Sequence, residues 1–311
     1  MTLTRRWLSA LLILLLLAVP AAAQRRAPPP LPKPLAPAMW VVEDKDSSVT
    51  IFGTVHTLPR GVDWFAPHIV TALDGADRLV LEALPPDGPG GMLAVVMRLA
   101  RLPAARPMAD RVPASYQERL DVALKRLRAP PMEWYDSWYV ALTLANLQAA
   151  TNGLDPRIGV EAVLAERARI HNRPIEGLET IEEQLIYFDA LSDADQAQLL
   201  MATLDDLDGA KVRLDAMIAS WLAGDTDALA AVMNRDFERS PMLMRMLVND
   251  RNARWAAWIA DALKKPGKTF LAVGAGHLAG QGSLQDELKR HGLTASRVLP
   301  APLPPVKRRR R

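Results

Sequence analysis

The chain has no cysteine, which excludes disulfides, thiolate nucleophiles and thiolate-held metals and leaves burial as the source of stability. Beyond residue 23 it has no apolar run long enough to span a bilayer. No HExxH occurs, so the helix that presents two zinc-binding imidazoles one turn apart is missing. Acidic residues are absent from both ends. Residues 1–39 hold five basic groups and no acid, and residues 301–311 hold five more basic groups and no acid. The stretch between them carries 28 basic against 35 acidic residues, a formal charge of −7, although the whole chain is +3. The basic character belongs to the ends and gives no reason to expect a nucleic-acid-binding domain.

Those ends have their own reading. Arg5 and Arg6 precede an apolar stretch from Trp7 to Val19, and Ala21 to Ala23 supply small residues for cleavage. This is the pattern of a secretory signal peptide over residues 1–23, and it points to a periplasmic or secreted protein; a membrane anchor is the alternative. Residues 24–39, with prolines at 28, 29, 30, 32, 34 and 37, read as an extended linker. Residues 300–311 read as a Pro-rich basic tail ending in Lys307 and Arg308 to Arg311, solvated or in weak contact with an anionic surface. Folding is expected over 40–299. About 260 residues suffice for one large α/β domain or a sheet layer with a helical subdomain.

Within that span two stretches echo each other across more than two hundred positions. Val49-Thr50-Ile51-Phe52-Gly53-Thr54-Val55-His56 and Phe270-Leu271-Ala272-Val273-Gly274-Ala275-Gly276-His277 are each an apolar run followed by GxxH. An apolar run of this length bounded by polar residues predicts a buried strand. The glycine permits a tight exit and the histidine then stands past the strand's carboxyl end, the edge where open α/β sheets bind ligands. With 17 Gly and 5 His in the chain, about 0.3 such motifs are expected by chance, so a pair behind two strands is a signal. The competing reading is two histidines that merely satisfy loop backbone.

Further elements follow from periodicity. A helix is expected over Pro67 to Leu73, then a strand Arg78 to Leu81 with Glu82 at its end. Helical period runs through Met92 to Leu99, Ser115 to Leu127 and Met132 to Ala149, the last carrying Trp134, Tyr135, Trp138 and Tyr139 as packing residues. Gly159 to Ile170 is again helical, Arg173 to Gly177 is a short strand followed by Leu178-Glu179-Thr180, and helices fill Ile181 to Met233 and Met242 to Leu263. Ser283 and Asp286 predict a capping box for a helix ending at Arg290, before a last strand at Ala295 to Leu299. The fold class is therefore α/β, a central sheet built from strands near both chain ends around a large helical middle region.

Taken together, the two GxxH strands, Leu81-Glu82, Gly159-Val160-Glu161, Ile175-Glu176-Gly177-Leu178-Glu179-Thr180 and Arg251-Asn252 resemble the TraB/PrgY/GumN family, which includes the Tiki proteins. The resemblance covers about residues 40–299. Glu161 stands where relatives often have Asp, and Trp255 where Met is expected. What it implies is one site holding both histidines and the Glu, and metal-dependent peptidase activity as in the Tiki branch. His56, Glu82 and His277 would then be the metal ligands, for Mn²⁺, Co²⁺ or Zn²⁺, with water in an open position. Arg251 would hold a substrate carboxylate or oxyanion, or else pair with Glu179, and Glu179 would be a base or a partner of a histidine. The expected substrate is a peptide or protein. The alternatives are a non-catalytic periplasmic accessory or binding protein of envelope or exopolysaccharide processes, and an esterase-type hydrolase using His56 as a base without metal.

Overall fold

The computed structural model describes residues 36–88, 90–237 and 241–300. The signal peptide, most of the Pro-rich segment and the basic tail expected from the sequence lie outside the described residues.

Among the described residues eight strands form: β1 (Met39–Glu43), β2 (Ser47–Thr54), β3 (Leu58–Pro59), β4 (Arg78–Leu84), β5 (Leu154–Asp155), β6 (Ile175–Thr180), β7 (Gly267–Gly274) and β8 (Ser296–Val298). Six make one sheet in the order β6-β4-β7-β2-β1-β8, while β3 and β5 pair separately. β6, β4, β7 and β2 run parallel, and β1 and β8 close one side antiparallel. The first GxxH strand is therefore hydrogen-bonded to the second, in register from Ser47↔Gly267 to Thr54↔Gly274. Parallel strands are covered on both faces, which is why β2 and β7 read as continuous apolar runs. Phe52 and Phe270 turn to one core with Ile69, Leu164 and Trp221, whereas Ile51, Leu271 and Val273 turn to another with Trp255, Ile259 and Leu288.

Among the described residues twelve helices surround this sheet and fill the middle of the chain: α1 (Pro67–Asp74), α2 (Gly91–Leu99), α3 (Ala114–Arg126), α4 (Ser137–Thr151), α5 (Val160–Ile170), α6 (Ile181–Asp189), α7 (Asp193–Asp206), α8 (Ala210–Leu222), α9 (Thr226–Phe237), α10 (Pro241–Met244), α11 (Asp250–Ala262) and α12 (Leu284–Arg290). A π-helical turn at Arg245–Asn249 joins α10 to α11. The sheet with its core, and a helical layer in which α3, α4 and α7 bury Leu120, Val140, Leu144 and Leu200, give the expected α/β class.

Several boundaries differ from the sequence reading, each for a local reason. The helix expected from Met132 begins only at Ser137, because the carbonyls of Glu133 and Trp134 are committed to the Arg106 and Leu102 N–H groups. Trp134 is thus half-exposed outside the helix while Trp138 is fully buried. Glu82 sits inside β4, which extends to Leu84 through pairing of Ala83 with Glu179. The capping box at Ser283 does not form: Ser283 makes no side-chain cap, and Asp286 accepts the Gly282 N–H at 3.2 Å instead. A complete capping box occurs at Thr180 and Glu183, at the start of α6. β1 has no counterpart in the sequence reading, and Ala36, Ala38 and Met39 ahead of Trp40 are already buried.

Candidate functional site

Four parallel strands end on one edge and deliver Thr54, Glu82, Glu179 and Gly274 to it. The ladder between β4 and β7 stops at Leu81↔Ala272. One step further the Gly274 N–H, no longer opposite a strand carbonyl, donates to Glu82 Oε2 at 2.7 Å. A Cβ at position 274 would stand 3.1 Å from that oxygen, so any larger residue would push the Glu82 carboxylate back.

Arg251, on α11, lies at the centre and donates from all three of its nitrogens. Nε donates to Glu179 at 2.9 Å and Nη2 to Glu82 Oε1 at 2.6 Å, and Nη2 is also ion-paired with Glu179 Oε2 at 2.9 Å. Nη1 donates to the Leu247 carbonyl at 3.0 Å and to His277 Nε2 at 3.2 Å. The guanidinium also lies 4.6 Å from the Trp255 ring centre. Gln184 donates to Glu82 Oε1 at 2.9 Å, and Glu179 further accepts from Arg254 at 2.9 Å and Trp255 Nε1 at 3.2 Å. Glu82, Glu179, Arg251 and His277 are all buried. Of the two roles considered for Arg251, the ion pair is the one present, and it takes in Glu82 as well as Glu179.

The tautomer of His277 follows from its neighbours. A guanidinium only donates, so Nε2 carries the lone pair and Nδ1 the proton, which goes to Asn252 Oδ1 at 2.8 Å. The Asn252 amide is fixed in that sense because its Nδ2 donates to the Gly282 carbonyl at 2.8 Å. Burial pushes the His277 pKa down to about 4, so the ring is neutral at neutral pH. Burial alone would raise Glu82, but His277, already charged at the low pH where Glu82 titrates, together with Arg251 and His56 holds it down at about 2. Burial disfavours the charge on Arg251, yet its two carboxylates outweigh that and raise its pKa.

His56 is different. Its side chain is 69% exposed, and Nδ1 lies 2.7 Å from Glu161 Oε1 at the start of α5. That hydrogen bond, against a smaller opposing effect of burial, pushes its pKa up to about 9. The charges of Glu82 and Arg251 are felt at His56, so the buried cluster and the exposed imidazole form one electrostatic unit.

In this arrangement the residues expected to hold a metal face protein donors. Both Glu82 oxygens and His277 Nε2 are turned to protein donors, and Arg251 holds the place between Glu82 Oε1 and His277 Nε2 that a cation would take. Among the described residues no group of three or more His, Asp or Glu is disposed to hold an ion. The remaining histidines stand apart: His68 on α1, His171 capping α5, and His291 after α12.

Sequence reasoning assigned no role to Thr54, Gln184, Asn252 or Arg254. Two of them had a signal in plain view, because Thr54 lies inside the first GxxH and Asn252 is next to Arg251. Gln184 and Arg254 sit on helices whose contact with β4 and β6 only the fold establishes.

The class defined by this architecture is an α/β protein with a buried Arg–Glu–Glu–His cluster and one exposed imidazole at the carboxyl edge of a largely parallel sheet. The chain belongs to the TraB/PrgY/gumN family, whose match spans residues 38–297. It is similar to the uncharacterized protein YbaP of Escherichia coli (strain K12), 26% identical over 243 residues covering 77% of this chain and 87% of YbaP. An uncharacterized protein of Treponema pallidum (strain Nichols) is also 26% identical, over 274 residues, 82% of this chain and 80% of that one. No solved structure matches.

Proposed function

We propose that this chain is an exported hydrolase of amide or ester bonds, peptidase-like in substrate class, in which His56 moves the proton. The observation that carries the reading is an exposed imidazole backed by a carboxylate at a ligand-binding sheet edge, beside a buried, charge-paired cluster. In its neutral form His56 Nε2 takes a proton from an attacking water as the carbon–oxygen bond forms. The imidazolium, balanced by Glu161, then protonates the leaving amine or alcohol as its bond to the carbonyl carbon breaks. Glu82, Arg251 and Glu179 supply fixed charges that need no reorganisation during the reaction.

A metal-dependent form of the hydrolysis is a second reading, and one observation favours it. His277 Nε2 and Glu82 Oε1 already converge on a cation, the guanidinium of Arg251. With His56 they are the ligands the family resemblance implies, and an ion held there would polarise a carbonyl and activate water. Binding it would require Arg251 to release both groups.

The test is elemental analysis of protein purified without chelator, followed by digestion of a peptide library and of simple esters with and without Mn²⁺, Co²⁺ and Zn²⁺. The expected result is turnover that His56→Ala abolishes while the circular dichroism of the fold persists. Stoichiometric metal that activity requires would favour the second reading. Absence of turnover on every substrate, with and without metal, would overturn the hydrolase and leave a periplasmic binding or accessory protein.

A further inference from the structure

We propose that Glu161, anchored by Thr54, is the positioning residue of the site: it fixes the His56 ring so that Nε2 faces the substrate side. This deepens the hydrolase reading and rests on it for its functional half. A carboxylate only accepts, so the 2.7 Å contact from His56 Nδ1 to Glu161 Oε1 places a proton on Nδ1 and leaves Nε2 for chemistry. The same oxygen accepts the Thr54 hydroxyl at 2.5 Å. Thr54 is buried and is the last residue of β2, paired with Gly274 of β7. The exposed ring on a loop is thereby tied, through one carboxylate, to a buried residue of the sheet.

Glu161 reaches this position because α5 begins against the loop it serves. The Val160 N–H donates to the Val55 carbonyl at 3.1 Å. At Gly159 a Cβ would lie 2.0 Å from the His56 carbonyl oxygen, so no other residue allows the helix to start so close. Position 161 falls in the first turn of α5, where the helix dipole favours a carboxylate. Contacts from Thr54, Val55 and His56 thus converge on residues 159–161, more than a hundred positions away in sequence.

The second imidazole shows what this arrangement adds. His277 is held in the same tautomer, but by the neutral Asn252 amide and by burial on all sides. His56 has neither enclosure nor amide, so Glu161 is the group that defines its orientation.

The experiment compares full-length mature protein with Glu161→Ala, Glu161→Gln and Thr54→Val. Two-dimensional ¹H–¹⁵N correlation through the ring protons, recorded above the titration of His56, reports which nitrogen carries the proton. Wild type and Glu161→Gln, whose amide oxygen still accepts, should keep the proton on Nδ1; Glu161→Ala should shift population to the Nε2-protonated form. On hydrolysed substrate, Glu161→Ala should lower kcat about 100-fold or more with KM within about threefold, and Glu161→Gln less. Thr54→Val, which leaves the carboxylate but frees it, should fall between wild type and Glu161→Ala and serves if the alanine variant does not fold. An unchanged tautomer in both Glu161→Ala and Thr54→Val would overturn the proposal, as would a changed tautomer with unchanged kcat. If wild type hydrolyses nothing, the hydrolase reading fails while the tautomer measurement still decides whether Glu161 positions the ring.

Discussion

His56 and His277 leave neighbouring parallel strands three residues after a glycine, yet the first ring is 69% exposed and the second is 6% exposed. Their pKa values move in opposite directions, to about 9 where a carboxylate meets the ring and to about 4 where burial does. Equal spacing therefore does not mean equal roles. In the proposed reaction one imidazole gains and loses protons at the surface, while the other stays neutral and offers a lone pair to a buried cation. Groups whose environments drive their pKa values apart are a recurring feature of acid–base sites. What divides the two is the loops' depth and the charge of the group on Nδ1, Glu161 in one case and Asn252 in the other.

The comparison breaks most severely at Arg251, the cation on which the His277 side depends. Arg251→Leu would leave Glu82 and Glu179 buried without their shared counter-charge, and the expected cost is about 3–5 kcal/mol of stability. Urea unfolding of the variant measures it. A change below about 1 kcal/mol would mean that water reaches the cluster.

His277→Ala comes next. It removes the acceptor of Arg251 Nη1, the donor to Asn252 and a ring packed 4.4 Å from that of Trp255, and should cost about 2–3 kcal/mol. The same histidine sets a pH dependence. Its folded pKa of about 4 lies below the unfolded value of about 6.5, so between the two the unfolded chain binds a proton that the folded chain refuses. Its contribution is complete above about 6.5 and is lost as pH falls through about 4. Glu82, depressed to about 2, acts in the same sense lower down: its contribution is present above the ordinary carboxylate range and disappears toward pH 2. Wild type should therefore lose stability progressively on acidification from near neutrality, and His277→Ala should lose less of it between about 6.5 and 4.

Gly159→Ala sharpens the His56 side without touching the ring. The added methyl meets the His56 carbonyl, so either α5 or the loop must move, at about 1–3 kcal/mol. Thermal midpoints give the cost, and loss of the Nδ1-protonated form of His56 would show that the movement is felt at the site.

How much of this was legible follows the same division. Strands β2 and β7 and their histidines were readable because parallel strands buried on both faces leave uninterrupted apolar runs ending in a glycine. The helical middle was readable by period, but its breaks were not. The Met132–Ala149 pattern continues through a turn that only the partners of the Glu133 and Trp134 carbonyls reveal. Glu82 and Arg251 were recognisable as candidates, yet their pairing depends on α11 crossing the sheet edge, information held in no local spacing. Thr54 and Glu161 lie 107 positions apart, and nothing in either neighbourhood announces the other. The Asp286 carboxylate shows the converse failure, a good local motif at Ser283 overridden by a nearer unsatisfied N–H at Gly282.

The smallest stability effect and the largest functional one should coincide at His56→Ala. The ring buries little, and its ion pair with Glu161 is exposed enough for solvent to screen, so the cost should stay under about 1 kcal/mol. The sign of its pH dependence is opposite to that of His277. With a folded pKa of about 9 above the unfolded value of about 6.5, the ionic part of the contribution is fully present below about 6.5 and is lost as pH rises through about 9. Urea midpoints of wild type and His56→Ala should thus differ most in mild acid and converge in alkali. Hydrolysis runs the other way, because the base needs its lone pair: kcat should climb with pH up to about 9 in wild type and vanish in His56→Ala at every pH. A His56→Ala protein that keeps wild-type turnover would remove the exposed imidazole from the reaction and leave the buried one as the centre of the site.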